Sequence, residues 1–268
     1  VDPTKGSDVC FIPQPAQDVL DLFGSICDRA AAVLRTNGDW GASGRREGQY
    51  AVDLDLDEVC VQPLLEAGFD VLSEESGLQL QGAALGSDVV VVDPLDGSTN
   101  ASLGLPWCAT ALCLVSNGVP AVAMVTNVAT GDRYTAVKDR GADRNGRPIL
   151  VAASSSNAVS PLSDSIIAVN GLPSAHWGWQ QFRAMGAASL DIAAVARGGF
   201  DAYVDTTTDS HGVWDYLASV LIVTEAGGVA VDALGRDLVV LEHDARRTPV
   251  VASNAVLLDQ LVAVRNAR

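Results

Sequence analysis

Val89-Val90-Val91-Val92-Asp93-Pro94-Leu95-Asp96-Gly97-Ser98-Thr99-Asn100 is the stretch around which the rest of the chain can be ordered. Val89 to Val92 have the length and β-branching of a buried strand. The strand ends in two carboxylates, Asp93 and Asp96, three residues apart around a proline. Gly97 predicts a turn, and Ser98-Thr99-Asn100 are suited to opening a helix. Acids at a strand end, followed by unbonded N–H groups at a helix start, make a place where hard cations and a phosphate can meet. An isolated Asp-Pro with Asp-Gly is only a turn signal, so the reading depends on its surroundings.

Upstream, apolar residues at 19, 20, 22, 23, 26, 27, 30, 31, 33 and 34 predict a helix over 19–34. A Gly-rich, charged loop over 37–48 follows, then a second helix over about 53–67 with Pro63 as a kink or break. Phe69 to Ser73 reads as a short strand leading into Glu74-Glu75. Downstream, 107–115, 119–128 and 133–137 read as strands, parted by the hairpin signals Asn117-Gly118 and Thr130-Gly131. Beyond about 150 the pattern alternates: strand 166–169, helix 187–197, strand 202–204, helix 213–226, strands 229–231 and 250–252, and a helix from 254. This predicts a layered α/β architecture. The expected organisation is an N-terminal α/β half, 10–150, with the Glu/Asp motifs, and a C-terminal α/β half, 151–268, with a Trp-Asp motif. No flexible tether separates them, so they are expected to pack as one unit.

With 48% hydrophobic and 19% charged residues among 268, the composition is that of an ordinary globular chain. A net charge of −16 argues against nucleic acid or an anionic membrane as partner, since both require clustered Lys and Arg. No apolar stretch reaches the length of a membrane span, and the N-terminus lacks a basic-then-apolar secretory pattern. Five cysteines, at 10, 27, 60, 108 and 113, form no metal-type pair and point to buried thiols in a reduced, cytoplasmic compartment. An acidic protein can still act on a phosphate ester if divalent metals invert the local field.

Three separated patches supply carboxylates: Ser73-Glu74-Glu75-Ser76-Gly77, the Asp93/Asp96 pair, and Gly212-Val213-Trp214-Asp215, which runs on into Glu225-Ala226-Gly227-Gly228. Each has a plain alternative. Glu74-Glu75 fits a solvated acidic pair, and Asp215 fits an acid in the first turn of its helix. Asp53, with Asp55, Asp57 and Glu58, fits a helix start. The Glu225 patch fits a helix end. No histidine falls inside the patches and no Cys-x₅-Arg loop exists, so phosphohistidine and cysteinyl-phosphate routes have no support.

In this order the patches, from about Gln49 to Asp232, resemble the inositol monophosphatase family, the magnesium-dependent, lithium-sensitive phosphatases. The resemblance implies an αβαβα sandwich and a homodimer acting on a small phosphorylated metabolite, with two to three Mg²⁺ per site. Glu74 and Asp93, with the Leu95 carbonyl, would hold one Mg²⁺, and a weaker third is expected near Glu74. Asp93, Asp96 and Asp215 would hold a second that stabilises the leaving alkoxide. Amides around Gly97, Ser98 and Thr99 would cradle the phosphate. Ser98 stands where the family usually has threonine, and its hydroxyl, paired with Asp53, would orient the attacking water. Glu74 joins Asp53 and Ser98 as the candidate catalytic set. Asp96, Gly186, Ala188, Asp205 and Asp215 are the candidate substrate contacts.

The chain also departs from the family. Where a lysine and a Thr-x-x-Asp stretch are usual it reads Arg45-Arg46-Glu47-Gly48-Gln49-Tyr50-Ala51-Val52-Asp53, keeping the acid and losing the threonine. Asp205 replaces a glutamate that binds a ring hydroxyl, and a threonine is replaced by alanine around Gly186-Ala187-Ala188. Inositol 1-phosphate is the default substrate. Histidinol phosphate, fructose 1,6-bisphosphate and 3′-phosphoadenosine 5′-phosphate are the alternatives, along with a homologue that binds a phosphorylated ligand without turnover. Asp205 and Asp209 could attract the amine of histidinol phosphate. His176, Trp177 and Trp179 read as packing or a dimer contact, and His211 as a substrate contact or a plain loop residue.

Overall fold

Three apolar clusters, separated by two sheets, set the architecture. The computed structural model describes residues 14–36, 39–45, 49–151 and 161–267. Cys10 and the loop residues Arg46, Glu47 and Gly48 fall outside them, as do 10–13 and 152–160 around the expected boundaries of the two halves.

The first cluster joins α1 (Gln14–Thr36) and α2 (Ala51–Glu66) to one face of an eight-stranded sheet. Its strands are β1 (Asp70–Ser73), β2 (Gly77–Gln79), β3 (Asp88–Asp96), β4 (Ala109–Ser116), β5 (Val119–Asn127), β6 (Arg133–Val137), β7 (Ala142–Arg144) and β8 (Arg147–Ile149), in spatial order β2-β1-β3-β4-β5-β6-β7-β8. Only the β1–β3 pairing is parallel. Val90, Val92, Leu112 and Met124 meet Phe23, Ile26 and Leu56 in this layer. Val89, Val91, Ala111 and Cys113 point the other way, as strand alternation requires, into the second cluster. There they meet α4 (Ala188–Ala196) and α5 (Val213–Glu225). The all-apolar run Val89 to Val92 is thus a strand covered by helices on both faces.

The second sheet has the order β10-β9-β11-β13-β12, from β9 (Ile166–Asn170), β10 (Gln181–Arg183), β11 (Ala202–Asp205), β12 (Val229–Asp232) and β13 (Pro249–Ala252). Ala168, Tyr203 and Val251 face α4 and α5, while Ile167, Val169, Val204 and Val250 face α6 (Ala255–Asn266) through Leu257 and Leu261. The layers therefore run αβαβα, as expected. Trp177 and Trp179 are buried in the outer cluster with ring centroids 5.4 Å apart, so they are packing residues; His176 lies exposed beside them.

Pro63 does not break α2, because it lies in the last turn, where its missing N–H removes a single bond and its carbonyl accepts Ala67 N–H at 3.1 Å. The strands β2, β7, β8 and β10 were not expected, being only three residues each. The β7–β8 turn uses Asn145-Gly146 with φ of 54° and 72°, the same left-handed pair as Asn117-Gly118 at 50° and 78°.

Candidate active site and metal centre

The two acids of the opening stretch are three apart, which in a regular strand would send them to opposite faces. Between them β3 slips register: Asp93 lies opposite Ala111 and Asp96 opposite Ala109, three residues against two. This extra residue reverses the alternation and turns both carboxylates toward the α4/α5 layer. Glu74 follows β1 directly, and its N–H donates to Val92 O at 3.1 Å, so the parallel ladder sets it beside Asp93. Asp215 sits in the first turn of α5, where its Oδ2 accepts Gly212 N–H at 2.8 Å.

Carboxylate oxygens of Glu74, Asp93 and Asp215 lie within 4.8 Å of one another. Asp93 is buried; its Oδ1 accepts Leu95 N–H at 3.0 Å, while Oδ2 has no hydrogen-bond partner among the described residues. Burial drives the Asp93 pKa well up, and the charges of Glu74, Asp96 and Asp215 push it further. Asp96 is raised to about 7, by burial first and by Asp215, against the lowering effect of hydrogen bonds from Ser189. Ser189 N–H donates to Asp96 Oδ2 at 2.7 Å, and its hydroxyl donates to the same oxygen. An all-oxygen set of converging, like-charged groups, one with an orphaned buried oxygen, fits a hard divalent cation.

The helix start predicted after Asp96 is α3 (Ser98–Ser102). Gly97 precedes it at φ +81°, and a Cβ there would lie 3.0 Å from both Ala187 Cβ and Trp107 O, so only glycine fits. Asn100 Nδ2 donates to Trp107 O at 2.8 Å and Met185 O at 2.7 Å, which holds the Gly186–Ala188 segment against this turn. Ser98 is half-buried and Thr99 exposed in the first turn of α3. Tyr50 hydroxyl lies 3.4 Å from Ser102 Oγ, bringing the start of α2 alongside α3. Asp53 is buried there, and its Oδ2 accepts Tyr50 N–H at 2.8 Å, so the acid does the helix-opening work read from its sequence context. The altered loop reaches the site's edge, since Gln49 Nε2 donates to the Glu75 carboxylate next to Glu74.

A cavity of about 310 Å³ opens beside the carboxylates, lined by Asp96, Asp215, Asp191, His211, Gly186 and Ala188, among others. A larger cleft of about 840 Å³ runs between α1 and β6–β8, but the carboxylates do not converge there, so size does not locate the chemistry. Asp191 is buried on α4 and accepts Trp107 Nε1–H at 2.9 Å; burial drives its pKa well up. His211 links Tyr203 hydroxyl, 2.8 Å from Nε2, to Asp215, 3.1 Å from Nδ1. Burial alone would lower the His211 pKa; the Asp215 hydrogen bond and charge, with Asp205 and Asp96, outweigh it and raise the value.

Asp205 is not among the cavity-lining residues. Its carboxylate accepts Asn170 Nδ2 at 3.1 Å, Thr207 N–H at 2.9 Å and Ser210 hydroxyl at 2.7 Å, closing its own loop. Asp209 is ion-paired with Arg236 at 2.6 Å. Ser189 and Asp191 were not singled out in the sequence, and Asp57, read there only as part of an acidic helix start, accepts Ser73 hydroxyl at 2.5 Å below Glu74. The available signal for Asp191 was an acid set between apolar helix residues, Leu190 before it and Ile192 after it.

A profile of the inositol monophosphatase family matches residues 22–267. An inositol monophosphatase of Mesembryanthemum crystallinum is 26% identical over 268 aligned residues, covering 92% of this chain and 96% of its own. A fructose-1,6-bisphosphatase/inositol-1-monophosphatase of Thermococcus kodakarensis is 31% identical, covering 92% and 91%. The solved inositol monophosphatase of Anabaena superposes with a TM-score of 0.76 at 25% identity, covering 95% of this chain and 97% of that one. The carboxylate patches, the αβαβα layering and the profile converge on one conclusion: the chain belongs to the inositol monophosphatase family, a family of phosphoric monoester hydrolases.

Proposed function

We propose that the chain is a Mg²⁺-dependent phosphomonoesterase acting on inositol 1-phosphate or a similar polyol or sugar monophosphate. The observation that carries this reading is the Glu74–Asp93–Asp215 cluster, with the orphaned Asp93 Oδ2, at the foot of the turn into α3. Glu74 and Asp93, with the Leu95 carbonyl, would hold one cation, and Asp93, Asp96 and Asp215 a second, with a weaker third near Glu74. Bound cations would cancel phosphate charge and acidify the attacking water. The amides of Gly97, Ser98 and Thr99 orient the phosphate, and the Ser98 hydroxyl, aided by Asp53, aims the water at phosphorus. Without a threonine methyl, Ser98 has freer χ1 rotation, so its aim is looser. Gly186 and Ala188 leave room for the leaving alcohol beside Asp96 and Asp191.

The cavity is lined by Asp96, Asp191 and Asp215 with no Lys or Arg among its described residues. A second phosphate entering this space would meet three carboxylates with His211 as the sole basic side chain of the described lining, which disfavours bisphosphates. The reading includes a homodimer, checked by sedimentation velocity. It also includes a cytoplasmic setting, in keeping with the buried free thiols Cys27, Cys60, Cys108 and Cys113. The test is phosphate release from inositol 1-phosphate, histidinol phosphate, fructose 1,6-bisphosphate and 3′-phosphoadenosine 5′-phosphate, each with and without Mg²⁺. Mg²⁺-dependent turnover that prefers a monophosphate is expected. Preference for either bisphosphate would overturn the substrate class, and Mg²⁺ binding with no turnover would favour a ligand-binding homologue.

A further inference from the structure

The segment over 238–247, between β12 and β13, forms a strap over α5. Tyr216 hydroxyl donates to Leu238 O at 2.7 Å near one end. At the other, His211 and Arg247 exchange backbone hydrogen bonds at 3.2 and 2.8 Å. Arg246 Nη1 donates to His243 O at 2.7 Å and Ala245 O at 3.0 Å, closing the strap into a turn. Its guanidinium carbon lies 5.2 Å from the centre of the Trp214 ring. From this turn His243 reaches two ligand-bearing segments together. Its ring lies 4.9 Å from Trp214, tilted by 30°, and its Nε2 is 2.9 Å from Glu74 O. Trp214 is the neighbour of Asp215, and a carbonyl can only accept, so Nε2 is the donor.

We propose that His243 is a positioning residue for the metal centre, fixing the Glu74 turn at its working distance from Asp215. The proposal rests on the metal-centre reading above. Glu74 and Asp215 belong to different layers, and Glu74 lies near the edge of its sheet, where β2 is three residues long and incompletely buried. In the same peptide Glu75 N–H makes a long bond to Ser73 Oγ, at 3.4 Å, and the His243 imidazole adds the shorter one to the carbonyl. His243 supplies the donor from a strap anchored on the helix that carries Asp215, so the carboxylate spacing is set before the cation arrives. Partners hydrogen-bonded to a ligating group commonly change metal affinity by about 10–100-fold, and His243 acts one step further out, through the main chain of the ligand residue.

The test is calorimetric titration of Mg²⁺ into wild type, His243→Phe, His243→Gln and Asp93→Asn, with kcat measured at saturating Mg²⁺. Phe keeps a ring against Trp214 without a donor; Gln keeps a donor without the ring. The His243 side chain is 34% exposed, which both substitutions can tolerate. His243→Phe should weaken Mg²⁺ binding by about tenfold or more while kcat at saturation stays within about twofold, and His243→Gln should restore affinity. Wild-type affinity in His243→Phe, or equal losses in both variants, overturns the proposal while Asp93→Asn still abolishes binding. Wild type and Asp93→Asn titrating alike overturns the metal-centre reading and this proposal with it.

Discussion

Asp93 holds a carboxylate where its own protein opposes the charge: it is buried, flanked by three acids, and one oxygen has no donor among the described residues. Such a group gives up apo-state stability for metal affinity. Asp93→Asn should therefore have opposite effects on two measurements. Mg²⁺-dependent phosphate release should fall by about 10³-fold or more, while the chelated protein should melt at a higher temperature than wild type. A lower melting temperature in chelator would contradict the strained-carboxylate account. Ser98 makes a second prediction at this scale. Ser98→Ala removes the hydroxyl and should cost kcat about 10²-fold. Ser98→Thr should match or exceed wild type, because the methyl restricts χ1; steady-state kinetics on the best monophosphate decides. The principal acids were legible because Glu74, Asp93 and Asp215 each stand at the end of an apolar element, where a charge is out of pattern. Ser189 and Asp191 were not, because their importance comes from facing Asp96 and Trp107 across layers, which no local spacing encodes.

Among the elements, the long periodic ones and the four-residue strands β1, β11, β12 and β13 could be read from the sequence, and the three-residue strands could not. The helix read over 19–34 is α1, and the strand read over 133–137 is β6, because each carries enough residues to display a period. Three-residue strands such as β2 and β10 show none. The bulge in β3 was hidden for another reason: Asp93 and Asp96 look the same in sequence whether or not an extra residue reverses the alternation. The bend from bulge through Gly97 into α3 is held by Asn100, whose amide serves Trp107 O and Met185 O. Asn100→Asp keeps the shape, removes both donors and sets a charge against two carbonyls. Leaving acceptors unsatisfied costs about 1–3 kcal/mol each. Chemical denaturation should show a loss within that range or above it, and KM should rise more than kcat falls, because Gly186 and Ala188 lose their support. A larger fall in kcat than rise in KM would place Asn100 in the chemical step instead.

For the whole molecule, the apolar run at Val89 to Val92 reads as a buried strand and the alternation beyond residue 150 as layered α/β architecture; the structure covers that strand with helices on both faces. The stacking itself, with α4 and α5 as a shared middle layer, was implied only by the family resemblance, since it depends on which faces meet. Asp191 and Asp215 of that layer share one cavity with Asp96 at the end of β3 and His211 just before α5, and their proximity destabilises the fold when no cation is bound. Folding holds a proton on Asp96 up to about pH 7, whereas an unfolded aspartate releases it near pH 4. Between those values the folded state binds more protons than the unfolded one, so stability falls as pH rises, with a slope approaching about 1.4 kcal/mol per pH unit for each such group. Asp191 and Asp93, both raised, act in the same direction, as does His211, whose stabilising contribution is present below its unfolded pKa and lost as pH passes its raised folded value. Asp132 and Asp232 are lowered, so their opposing contribution is complete once pH exceeds the ordinary carboxylate range. The metal-free protein should therefore lose thermal stability from pH 5.5 to 8.5, and saturating Mg²⁺, which binds the deprotonated acids, should flatten or reverse that slope. Thermal unfolding across this range, in chelator and in Mg²⁺, tests it. A chelated protein that grows more stable toward pH 8.5 would mean that these carboxylates are ionised and satisfied without a cation, and the cluster would then be a structural network rather than a metal centre.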